Sequence, residues 1–199
     1  MRRFTALMLI YLILHSPARG QSAFTITLKH NSQTEQQTKA QLERLLKTYD
    51  HSRWIFTSSI EIDDTQRPHS HPVLTLSTRH LKDDELLNAT FAHEQFHWWA
   101  ERKAEATRQV LAELRIMFPK VPAGAPEGAD DENSTYLHLI VCSLEYSALK
   151  DLYGDLKARQ VMEFWANDHY KWIYRTVLER QPEIRSLLFK HGVLPIGKI

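Results

Sequence analysis

The stretch Phe91-Ala92-His93-Glu94-Gln95-Phe96-His97-Trp98-Trp99 constrains this chain more than any other part of it. It lies in a run from Leu86 to Phe118 without proline or glycine, so no residue type there interrupts a helix. Asp83 is placed to cap that helix, and Asp84 and Glu85 put negative charge in its first turn, where it suits the dipole. The helix is expected to start at Asp83 and to reach as far as Met117, with a break near Lys103 as the alternative. On such a helix His93 and His97 stand one turn apart on one face. Two imidazoles at that spacing suit one zinc ion, and Glu94 is placed to take a proton from a metal-bound water. The competing reading is a core helix whose histidines hydrogen-bond to their neighbours.

The chain of 199 residues suits one compact domain able to bury a core and a cleft. Hydrophobic residues make up 43% and charged residues 25%, which fits a water-soluble globular protein. A net charge of +1, with no basic run interleaved with aromatics, sets nucleic-acid binding aside. Residues 1–20 read as a secretory signal, with Arg2 and Arg3 ahead of the apolar Phe4–Leu14 and the small-residue site Ala18-Arg19-Gly20. The apolar run is too short for a comfortable membrane span, so no stable span is expected once the signal is cleaved. Its removal takes away three arginines and leaves the mature chain slightly acidic. The location implied is extracytoplasmic, periplasmic or secreted. The single Cys142 cannot form an internal disulfide and reads as a buried small hydrophobe.

The rest of the chain supplies an α+β order: strand, helix, strand, strand, then helices only. Phe24–Lys29 alternates apolar residues with threonine and reads as a half-buried strand. Thr34–Tyr49 is a helix with a narrow apolar side, and Trp54–Ile62 is a β-branched and aromatic strand. Pro72–Thr78 is a third strand, and its leading proline suits an edge. The intervening His69-Ser70-His71 reads as a polar turn with two exposed histidines. After the motif helix comes a proline-rich loop, 118–133, long enough to have a function of its own. Ser134 is the expected cap of a helix over 135–152 that Gly154 ends. A helix over 155–166 follows, then one capped by Asp168, then a short one beginning at Pro182 and ended by Gly192.

A catalytic zinc usually has three protein ligands and one open position, so the motif needs a third group. Glu101, one further turn along the same straight helix, cannot wrap around the ion with the other two. The 135–152 helix offers His138 and Glu145, two turns apart on one face, and either reaches an ion held by His93 and His97. Glu145 stands in an apolar neighbourhood where a carboxylate calls for a partner, which makes it the preferred third ligand. His138 is then a donor beside the metal or a group facing substrate. His169, Tyr170 and Tyr174 join it as candidates for stabilising a tetrahedral oxyanion.

The pattern His93-Glu94-Gln95-Phe96-His97, followed on a second helix by Glu145 with Ala148 three residues on, resembles the gluzincin branch of the zincin metallopeptidases. Leu149 departs from that family's alternative context, which puts an aspartate there. The resemblance covers residues 24–152 and not 155–199. It implies a zincin-like fold, a small N-terminal sheet before the motif helix and a helical C-terminal half. It also implies Zn2+ held by His93, His97 and Glu145 with Glu94 as general base, beside which His138 and Tyr170 stand as the further catalytic candidates. The substrate implied is a peptide or protein, bound along the edge strand 72–78 by strand addition. The alternative is a non-catalytic zinc-binding or interaction domain that keeps the ligands for stability; its zinc would have a fourth protein ligand in place of water.

Overall fold

A computed structural model describes residues 24–195; the expected signal segment 1–20 lies outside the described residues. The architecture is α+β, with β1 (Thr25–Leu28), α1 (Gln33–Thr48), β2 (Ser59–Ile62) and β3 (Leu74–Leu76) ahead of five further helices. These are α2 (Asp84–Arg102), α3 (Ala104–Met117), α4 (Glu132–Tyr153), α5 (Asp155–Asp168) and α6 (Lys171–Lys190). The three strands form one sheet in the order β1-β2-β3, both pairs parallel. Parallel neighbours need a crossover connection. Helix α1 makes the first, and an irregular strap over residues 63–73 makes the second.

Alternation in β1 and β2 turns Ile60 and Ile62 inward, where Leu42, Leu45 and Leu46 of α1 meet Leu87 and Phe91 of α2. Helix α2 thus packs on the sheet with one side and on α4 with the other. Helix α4 is the centre of the larger core: from Thr135 to Leu149 only Leu137 is not buried. A helix apolar nearly all round has to be surrounded, and α2, α3, α5 and α6 surround it.

Several sequence expectations are corrected in detail. The second strand starts at Ser59 rather than Trp54, because the backbone of residues 56–57 is claimed by a side chain. The buried Gln95 amide oxygen accepts from the Phe56 and Thr57 N–H groups at 2.6 and 2.8 Å, and its nitrogen donates to Thr57 O at 2.8 Å. Trp54 and Phe56 instead pack on Phe96 and Trp99. The motif helix breaks at Lys103, the alternative that the sequence left open, and Thr107 Oγ1 donates to the carbonyl of Ala100 across the break. Helix α4 is capped by Asp131, whose carboxylate accepts from Ser134 N at 2.7 Å, so Ser134 lies inside the helix. Asp168 ends α5 rather than capping α6; Tyr170, at φ 49° and ψ 38°, turns the chain into α6. Pro182 follows a kink at Arg180, and Gly192 lies just past the end of α6 with φ 66°.

Candidate metal centre

Helices α2 and α4 bring three histidines together. The ring centroids of His93 and His97 are 5.1 Å apart, and His138 lies 5.4 Å from the first and 5.0 Å from the second. One nitrogen from each falls within 4.8 Å of the others, a spread that one ion can gather. Hydrogen bonds orient two of the rings. His138 Nδ1 meets the Ser134 carbonyl at 2.7 Å; a carbonyl only accepts, so the proton is on Nδ1 and Nε2 is left with its lone pair. His93 Nδ1 meets Glu145 Oε2 at 2.9 Å, and His93 Nε2 faces His97 Nε2 at 3.3 Å.

This arrangement places Glu145 differently from the sequence expectation. Glu145 sits on the far nitrogen of His93, away from His97, so one ion between the motif histidines does not reach it. The carboxylate groups instead with His93 and Cys142 in a buried cluster. Its oxygen also accepts from the Tyr174 hydroxyl at 3.1 Å. The carboxylate–imidazole contact is the kind that fixes ring orientation and raises the basicity of a metal-binding histidine. His138, which the sequence offered as the second choice, is the group that completes the trio.

Burial sets the charge states. It drives His93 down to about 4 and His138 to about 3, and pushes His97 well below its ordinary value, with the neighbouring imidazoles adding to the effect on the last two. All three are therefore neutral lone-pair donors at neutral pH, as a metal requires. Glu94, only 6% exposed, is raised to about 8 by burial and then by the charge of Glu145. Its side chain makes no hydrogen bond or ion pair among the described residues. Glu145 is likewise raised to about 8 by burial, with the Tyr174 hydrogen bond opposing the rise.

The opposite wall comes from the α5–α6 junction. The left-handed backbone at Tyr170 brings its ring to 4.5 Å from His138 and the His169 ring to 4.8 Å from Tyr170. Burial raises the Tyr170 phenol to about 12, so it remains a donor. His169 Nδ1 is 2.8 Å from Asp168 Oδ2, and Asp168 is clasped by both terminal nitrogens of Arg79. Sequence reasoning named His169 but missed this chain, because Arg79 and Asp168 are far apart in sequence and neither belongs to a motif. His69 and His71 belong to no metal-binding group among the described residues.

A second cluster, His30, Glu35, Asp63 and Asp64, lies where β1 and β2 run into their loops. Its carboxylates already have donors. Glu35 closes a capping box with Ser32 and accepts from the His30 and Asp64 backbone, while Asp63 accepts from Thr65. It serves as a loop lock. No family matches the chain, and no curated protein or solved structure matches it either.

Proposed function

We propose that this chain is an exported zinc-dependent metallopeptidase of the zincin kind, with His93, His97 and His138 as ligands. The observation that carries the reading is the convergence of three neutral imidazoles, with Glu94, a carboxyl raised to about 8 by burial, next to His93 on the same helix. The donor set fits the ion: three nitrogens from two rigid helices leave a fourth position open. When bound, zinc supplies a Lewis acid that acidifies water and polarises a carbonyl. The rest of the work falls to the chain's own residues. Glu94 takes the proton from the attacking water and is poised for it, since a base with a value near the working pH both accepts and returns a proton well. Glu145, steadied by Tyr174, holds the His93 ring with its free nitrogen towards the site. Tyr170 and His169 face His138 from the α5–α6 junction and are the candidate donors to the developing oxyanion. The order of small sheet, motif helix and helical half agrees with a zincin plan.

Purified protein should hold one zinc per chain and cleave members of a mixed peptide library. Glu94→Gln should keep the zinc and lose turnover by several orders of magnitude, because the base and the activated water act together. Near-normal turnover in that variant would refute the role of Glu94. A zinc-loaded wild type that cuts no peptide would refute the activity.

A further inference from the structure

The sheet edge nearest the proposed site is already occupied. In β3 the backbone groups of Thr75 point away from β2, and both are bonded to His69, N–H to O at 2.8 Å and O to N–H at 3.1 Å. His69 lies in the strap between β2 and β3, so the chain's own backbone fills the place where an extended peptide would add a strand. The same strap is fastened to α2. Trp98 Nε1 donates to Ser70 O at 2.8 Å, the His71 ring stacks on Trp98 at 4.3 Å and 24°, and His71 Nε2 meets Glu101 Oε2 at 2.8 Å. Glu101 is one turn beyond His97, and the charge of His71 acts on His97. Arg67 at the start of the strap acts in the same way on Tyr170. The strap therefore joins the open edge of β3 to the outer face of α2, one turn beyond His97.

What holds it is slight. His71 and Glu101 are both exposed, and exposed pairs of this kind contribute little. No residue from 67 to 72 is buried, in contrast with Leu74, Thr75 and Leu76 shortly after them. We propose that the 67–72 strap is a self-occupying gate: it pairs with β3 in the free protein and is displaced when an extended peptide takes over the Thr75 backbone groups. The inference rests on the peptidase reading. It adds that access is set by an internal competitor, so affinity for extended substrates is lowered by the fraction of chains in the closed form.

The test uses the full-length zinc-loaded protein and an extended tripeptide hydroxamate, which binds zinc without being cut. Amide hydrogen exchange is followed at His69 and Thr75. Both N–H groups should be protected in the free protein. With hydroxamate bound, His69 should lose protection while Thr75 keeps it, its partner now being the ligand. A doubly substituted latch, His71→Ala with Glu101→Gln, should tighten hydroxamate binding roughly threefold to tenfold, the scale of a lost exposed pair and a stacked ring. Protection unchanged at both amides with hydroxamate bound overturns the gate and leaves the peptidase reading standing. Failure of the hydroxamate to bind either zinc-loaded form overturns the peptide-binding reading together with the gate.

Discussion

Exchanging the roles of His138 and Glu145 has a measurable consequence for metal affinity. If His138 is a ligand, His138→Ala removes one of three protein nitrogens from the ion. Zinc sites with four protein ligands bind with roughly 10–16 kcal/mol, so each ligand carries about 3 kcal/mol or more, on the order of a hundredfold in affinity. Glu145→Gln is milder by construction. A single oxygen, Oε2, accepts from both His93 and Tyr174, and the amide oxygen of glutamine can do the same. What is lost is the capacity to carry negative charge behind His93 once an ion is bound, and outer-shell changes of that kind cost about tenfold to a hundredfold. Competition against a chromogenic chelator at fixed pH, with circular dichroism to confirm folding, ranks the two variants. The expected order is wild type, then Glu145→Gln, then His138→Ala. If Glu145→Gln fell below detection while His138→Ala bound zinc as wild type does, the three-histidine site would be refuted and Glu145 restored as ligand.

Metal-free protein should be most stable near pH 5 to 6. As pH rises from 4.5 towards 8 the unfolded chain ionises two carboxyls that burial keeps protonated at Glu94 and Glu145, so stability falls. As pH drops below 6.5 towards 4 and 3 the unfolded chain takes up protons that His93 and His138 refuse, so stability falls again. A melting temperature that climbed steadily from pH 6 to 8 would contradict the buried-acid argument. Asp168→Asn should make His169 protonate at lower pH in an NMR titration, since Asp168 is what raises it against burial; no change would mean the contact is absent in solution. Phe96→Ala should cost about 3–5 kcal/mol in denaturant unfolding, because Phe96 is fully buried between Trp54 and Phe56; a loss below 1 kcal/mol would show that this corner repacks freely. N-terminal sequencing of exported protein should begin after Gly20, and an intact Met1 in the mature form would defeat the signal reading.

The sequence made the motif helix, its break at Lys103 and the α+β order readable because each rests on local chemistry: caps, absent helix breakers, alternation. Where local rules failed, a distant side chain had intervened. Trp54–Ser58 has the composition of a strand, yet Gln95, inside the motif and silent in any periodicity, takes its backbone hydrogen bonds. The sequence ranked Glu145 ahead of His138 for a related reason. Helical spacing puts His138 and Glu145 on one face of α4 and treats them as equivalent, but an imidazole has two nitrogens pointing in different directions. Which residue faces the metal depends on the side of the His93 ring that α4 approaches, and packing against α2 decides that. Glu145 meets Nδ1 because Tyr174, from α6, fixes its carboxylate, and α6 belongs to the stretch that no motif covered. The C-terminal helices therefore serve the site itself: Tyr174 steadies Glu145, Glu145 steadies His93, and the turn at Tyr170 closes the far wall over His138. A chain cut after Gly154 would keep the three histidines and Glu94 in sequence, and lose the groups that hold them in place.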